Sequence, residues 1–102
     1  MTLSIGDDEA TAHALLALGT ALWGQGSPAE AVPVLTQALD LAGRAGIDSI
    51  AADVQHNRGV ALHYLGRYDD AEADYRESAR AWRRVGGRAG LSRVLNSMGI
   101  LA

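Results

Sequence analysis

Residues 59–71, Gly59-Val60-Ala61-Leu62-His63-Tyr64-Leu65-Gly66-Arg67-Tyr68-Asp69-Asp70-Ala71, decide how this chain is read. Moved back by forty residues, Gly59, Leu62, Gly66 and Ala71 fall on Gly19, Leu22, Gly26 and Ala31. Moved forward, Gly59 falls on Gly99, and the same step carries Gly6 onto Gly46 and Gly86. A fixed period between twenty and fifty residues marks stacked supersecondary units without one closed core. Each unit is too small to bury its own apolar face, so neighbours supply the burial and the product is an extended surface. Function is to be sought on that surface.

Outward from this stretch the pattern is helical. Alanine, leucine, glutamate and arginine dominate, proline occurs only at 28 and 33, and alternating or β-branched runs are few. Ala14, Leu15, Leu18, Ala21 and Leu22 recur at three- and four-residue steps, which predicts a first helix from about Asp8 to Gly24. Ser27-Pro28-Ala29-Glu30 restarts the chain with a capping serine, a proline at the first helical position and a glutamate to complete a capping box. The second helix carries Ala31, Val34, Leu35, Ala38, Leu39 and Ala42 on one face and closes at Gly46. Pro33 falls late in its first turn and is tolerated there. Asp48 is read as the cap of a third helix that reaches Tyr64 or Leu65 and closes at Gly66. A fourth runs from about Tyr68 to Val85 and closes at Gly86, and a fifth starts at Arg88 or Ala89. The short links force each helix antiparallel to the last. Gly19, Gly59 and Gly99 then fall in mid-helix, where glycine costs about 1 kcal/mol relative to alanine, so close approach of the paired helix, near Ala31 and Ala71, must offset it.

Composition sets the bounds. A 48% hydrophobic and 21% charged chain is of folded, not disordered, type. Its net charge of −3 argues against a general affinity for nucleic acid or an anionic membrane, both of which need a basic face. No stretch has the apolar length of a membrane span, Met1 to Ile5 lack the features of a signal peptide, and without cysteine there is no disulfide frame. The expectation is a soluble, cytoplasmic protein.

The run Leu18-Gly19 … Gly26 … Ala31 … Leu35 … Ala38, followed by Gly59 … Leu62 … Gly66-Arg67-Tyr68 … Ala71 … Tyr75, resembles the tetratricopeptide repeat. Residues 66–71 look especially like that family's inter-helix turn. The resemblance implies an all-α fold of antiparallel helix hairpins stacked as a right-handed α-solenoid, five helices making two and a half repeats. The expectation is one domain over residues 1–102, with repeat 1 at about 8–46, repeat 2 at about 48–86 and the first helix of a third at about 88–102, as a piece of a longer array. The usual period is 34 residues. The longer step here resembles the repeats of kinesin light chains and of bacterial peptide-sensing and regulatory proteins. Pro28 stands where Tyr68 stands in the next repeat, Ser78 where Ala38 stands, and Gln55 and Arg58 where Leu15 and Leu18 stand, so local packing must adjust at these positions.

Chemistry is sparse. His56 and His63 lie two helical turns apart, too far to share a metal, and Asp53 with His56 makes only two ligands. No serine sits in a nucleophile elbow, there is no cysteine or lysine, and Gly86-Gly87-Arg88-Ala89-Gly90 lacks the spacing of a phosphate loop. The expectation is no catalysis, no metal and no cofactor. Arg76, Arg80, Arg83, Arg84 and Arg88 form a stripe partly neutralised by Glu72 and Glu77 at helical spacing.

The resemblance places the binding surface on the first helix of each repeat, facing a concave groove for extended or helical peptides. Carried over residue by residue, this gives His13, Leu16, Ala17, Thr20, Trp23 and Gly24, then Asp53, His56, Asn57, Val60, His63 and Tyr64, then Arg93, Asn96, Ser97 and Ile100. Their imidazole, amide, aromatic and guanidinium groups suit peptide backbone and polar side chains. Asn57 and Arg93 match two members of the family's carboxylate clamp, but Leu16, Thr20 and Ser97 occupy the others, which argues against that specificity. The expected partner is a protein or peptide, with no nucleic acid and no membrane. Rival readings are a scaffold built through repeat edges and an effector-sensing segment of a larger regulator. Leu91, Val94, Leu95, Met98 and Leu101 are too many apolar residues for one narrow contact, so they are read as a self-association edge making a homodimer or an end-to-end stack.

Overall fold

The computed structural model describes residues 5–99. Their backbone forms α1 (Ile5–Gly24), α2 (Pro28–Ala45), α3 (Asp48–Tyr64), α4 (Tyr68–Val85) and α5 (Arg88–Ser97), and no strand occurs among the described residues. α1 starts three residues before the expected Asp8. α2, α4 and α5 start where the sequence puts them, α3 starts one residue early at the expected cap Asp48, and Pro33 lies inside an unbroken α2.

All four turns close in one way. The N–H groups of Ser27, Ile47, Arg67 and Gly87 donate to the carbonyls of Leu22, Ala42, Leu62 and Trp82, at 2.8, 3.1, 2.9 and 2.9 Å. Glycines 26, 46, 66 and 86 stand just before the donors with φ of 88°, 69°, 78° and 73°, the left-handed conformation that ends a helix and that only glycine adopts cheaply. The turn chemistry therefore repeats every twenty residues, while the packing repeats every forty.

The helix starts differ from the expected caps. Ser27 is the N-cap of α2, yet its hydroxyl makes no cap bond and no capping box with Glu30 forms. Its ψ of 57° departs from the extended geometry that aims a cap hydroxyl at the first turn; its carbonyl instead accepts from the N–H groups of Glu30 and Ala31 at 3.2 Å each. Ile47 is the N-cap of α3, so Asp48 lies one residue inside the helix and acts through the positive end of the helix dipole.

Each helix packs on its chain neighbours, and α1 also meets α3 as α3 meets α5, while α2 and α4 make no backbone approach of that kind. Stacking that is tight in the odd-helix layer and open in the even-helix layer bends the array toward the odd one. Two apolar clusters fill the stack. Ala12, Ala31, Leu35, Ala38, Ala42, Ile50, Val54 and Ala61 form one, and Leu62, Ala71, Tyr75, Ala79 and Val94 form the other.

The mid-helix glycines 19 and 59 permit the predicted close approach of the paired helix. A methyl on Gly19 would overlap Leu35, and one on Gly59 would lie 2.6 Å from Tyr75 Cε1 and 3.3 Å from the Ala71 carbonyl oxygen. The facing side chains are thus one turn beyond Ala31 and Ala71. Gly99 departs from the pattern: α5 ends at Ser97 and Gly99 has φ 74°, so it is not a mid-helix glycine.

Repeats differ by compensated exchanges. Ala42 packs near Ile47 and Ile50 in the first cluster, whereas Trp82, forty residues on, lies over Gly87 and Gly90, where added methyls would overlap its indole. Ser78 replaces the alanine of the first repeat and sends its hydroxyl to the Ala52 carbonyl at 2.7 Å in the core. Arg58, in the place of Leu18, donates through Nε and Nη2 to the two Asp74 oxygens at 2.7 Å each and through Nη1 to Thr36 Oγ1 at 3.2 Å. That pairing with Asp74 pushes the guanidinium further above its ordinary value, against the effect of burial.

α5 lies on the second cluster. Val94 is fully buried there, with Leu91 and Met98 packed beside it, so Val94 is not open to another chain as the expected edge required. Leu95 is half-buried, and Leu101 lies outside the described residues.

Candidate functional site

Because α1, α3 and α5 lie side by side, side chains from different repeats meet across the odd-helix face. Trp23 near the end of α1 donates its indole N–H to Asn57 Oδ1 at 3.1 Å and stacks on Tyr64, with ring centroids 5.9 Å apart and an interplanar angle of 27°. Asn57 in turn donates to the Asp53 carbonyl at 2.8 Å, which fixes which end of the amide faces Trp23. Asp53 also faces Arg93 of α5, Oδ1 to Nη2 being 3.7 Å. His56 Nε2 is 2.7 Å from Ser97 Oγ, and the ring stands edge-on to Tyr75 at 5.9 Å. Burial holds His56 below its usual value; the nearby Arg93 cation acts in the same direction and Asp53 opposes both. The ring is therefore neutral near pH 7 and can both donate and accept a hydrogen bond.

The remaining expected residues divide. His13, Ala17, Gly24, Asn96 and Tyr64 are exposed, Tyr64 at 65%, and Leu16 is half-buried. Thr20 bonds back to the Leu16 carbonyl at 2.8 Å, so its hydroxyl hydrogen serves its own helix. Val60 packs against the second core cluster and belongs partly to the interior. His63 turns away from the odd-helix row to stand edge-on to Tyr68 of α4, centroids 5.0 Å apart. Ile100 lies outside the described residues.

Two features were not picked out from sequence. Leu65 and Tyr68, 39% and 61% exposed, extend the Tyr64 surface around the α3–α4 turn. The signal was present: turns are ordinarily polar, and Tyr64-Leu65 followed by Tyr68 is not. A hollow of about 270 Å³ also opens between α3, α4 and α5, lined by His63, Tyr68, Ala71, Glu72, Tyr75, Ser97 and Met98. It is large enough for one side chain, with aromatic walls and polar atoms at its rim.

Among the described residues no group of three or more histidine, cysteine, aspartate or glutamate side chains could hold a metal ion, and no helix is long and apolar enough to cross a membrane. The face offers stacking surfaces, an amide, a neutral imidazole and a loose ion pair. Each of these groups has the chemistry to hydrogen-bond or stack against a peptide. Residues 50–102 match a family model described as tetratricopeptide repeat, and residues 11–45 match a second with the same description. No curated protein and no solved structure matches the chain.

Proposed function

From a chain that belongs to the tetratricopeptide repeat family, whose repeats mediate contacts between proteins, we propose a peptide- or protein-binding module whose contact surface is the face of α1, α3 and α5. A cytoplasmic setting and the absence of catalysis are parts of the same reading. The observation that supports it best is the cross-repeat cluster of Trp23, Asn57 and Tyr64. An amide held by Trp23 and by the Asp53 carbonyl beside a tyrosine 65% exposed is a rigid polar group next to an unburied aromatic. Tyrosine and tryptophan supply contact area at low entropic cost and lead among interface anchors. Asp53, His56, Arg93, Asn96 and Ser97 extend this patch toward α5, with His13, Thr20 and His63 at its margins. The ligand class is a segment with an apolar or aromatic anchor, its backbone amides meeting Asn57 and the neutral His56.

The test is selection of binders from a random peptide library, followed by titration against the parent chain, Asn57→Ala and Tyr64→Ala. The reading expects binding to weaken by about tenfold or more in each variant, the mark of an anchor residue, while the melting midpoint stays near that of the parent. Undiminished binding in both variants would move the contact surface elsewhere, and unfolding of both would make these positions core.

A further inference from the structure

Charge is segregated along the array. Residues 1–43 carry Asp7, Asp8, Glu9, Glu30 and Asp40 and no arginine or lysine; residues 78–102 carry Arg80, Arg83, Arg84, Arg88 and Arg93 and no acid. Between them acids outnumber arginines by three, which accounts for the net −3 that conceals the asymmetry. The two stretches lie at opposite ends of the stack, since α1 and α2 make no backbone approach to α4, and only α3 stands between α1 and α5. The body is 47 Å in its longest extent, several times the roughly 8 Å over which physiological salt screens a charge. α4 also carries Asp69, Asp70, Glu72, Asp74 and Glu77 ahead of this stretch, so the basic sign belongs to the C-terminal half of α4 and to α5, and the acidic sign to α1 and α2, where Arg44 pairs with Asp40.

Both ends also keep apolar surface and unpaired charge. Asp70 lines a hollow shared with Val32 and Thr36 of the preceding hairpin. Glu30, exposed in the first turn of α2, is the forty-residue counterpart of Asp70. Arg58 reaches back to Thr36, so Leu18 in the equivalent place points the same way, and it is 48% exposed. At the other end a hollow of about 220 Å³ between α4 and α5 is lined by Arg76, Ala79, Arg80, Arg83, Leu95 and Met98. Asp8, Glu9 and Glu30 at one end and Arg83 and Arg88 at the other have no ion-pair partner among the described residues.

We propose that copies of this chain associate head to tail, the acidic α1–α2 edge of one seated on the arginine-lined hollow between α4 and α5 of the next. The surface involved is separate from the odd-helix face, so the two readings stand or fall independently. A symmetric dimer through α5 is disfavoured, because it would set Arg83 and Arg88 against their own copies, and facing like charges are strongly unfavourable in an interface. A heterologous contact leaves one acidic and one basic edge free at the ends, so it propagates and does not stop at two.

Sedimentation and light scattering of the full chain over a concentration series test this. At about 50 mM salt the mean mass should rise past two chains, and association should weaken by roughly tenfold or more at about 500 mM. Arg80→Glu with Arg83→Glu should be monomeric, as should Glu9→Arg with Glu30→Arg, and mixing these two variants should restore association. All four positions are exposed, and circular dichroism melts would verify that both variants stay folded. A chain still monomeric at about 1 mM and low salt, a mass that stops at two and survives both charge reversals, or association that strengthens with salt would each overturn the proposal.

Discussion

Asp74→Ala bears most heavily on the packing between the hairpins. Arg58 and Asp74 are joined by two hydrogen bonds of 2.7 Å, with side chains 20% and 9% exposed, and they line one hollow together with Val32 and Leu62. Deleting the carboxylate leaves a mostly buried cation with only Thr36 as partner. Removing one member of a fully buried pair costs about 3–5 kcal/mol; partial exposure lets Arg58 recover some solvation, so about 2–3 kcal/mol is expected. At roughly 4–8 °C per kcal/mol, the melting midpoint should fall by about 10–20 °C. The sequence itself supplies the control. Forty residues earlier the same two positions hold Leu18 and Val34. Arg58→Leu with Asp74→Val should return most of the loss, because exchanging a buried ion pair for apolar residues is often neutral or stabilising. Urea unfolding followed by far-ultraviolet circular dichroism measures both. Asp74→Ala within about 0.5 kcal/mol of the parent, or a double variant as unstable as the single one, would refute the reasoning.

Gly59→Ala should cost about 1–3 kcal/mol, because its methyl would lie 2.6 Å from Tyr75 Cε1, whereas Gly24→Ala, with nothing within 4 Å, should be neutral or slightly stabilising; thermal melts compare the two. His56 is held below 6.5, so folding favours the neutral ring. Its contribution is complete above about pH 6.5 and is lost as pH falls below that, where the unfolded chain binds the proton first. Part of the drop in melting midpoint between about pH 7 and 5.5 should therefore disappear in His56→Gln; an identical pH profile in that variant would remove His56 as its source. Ser78→Ala should cost about 1 kcal/mol in urea unfolding, since it deletes the 2.7 Å bond to the Ala52 carbonyl without leaving a void larger than a hydroxyl.

Much of the architecture was legible because several independent signals repeat at one spacing. Gly46, Gly66 and Gly86 mark helix ends by a backbone requirement that glycine meets best, and Gly19 and Gly59 mark close approach because nothing else offsets their cost in a helix. What the sequence left open depends on geometry between repeats. Arg58 reads as a flaw in an apolar stripe until Asp74, sixteen residues away on another helix, is placed beside it. Trp82 and the pair Gly87 and Gly90 read as unrelated until one lies across the other. Ser27 and Asp48 show the limit of local rules, since a capping residue type does not fix the backbone angle that a cap needs. On the odd-helix face Trp23, His56 and Asn57 were named from sequence without their connections, and the helix pattern did not show that His63 stands against Tyr68 or that Val60 packs on the core. Trp23 to Asn57 and His56 to Ser97 join separate repeats, and only the stacking of α1 on α3 and of α3 on α5 brings them together.

The two tryptophans give the most direct test of the binding face. Trp23 donates its indole N–H across that face to Asn57, while the buried Trp82 N–H has no acceptor among the described residues. Each contributes one resolvable indole signal to a nitrogen–proton correlation spectrum. On titration with a selected peptide, the Trp23 signal should shift together with the Asn57 side-chain amide, and the Trp82 signal should stay in place. Saturable binding that moves Trp82 and leaves Trp23 and Asn57 unchanged would contradict the assignment of the α1–α3–α5 face as the contact surface.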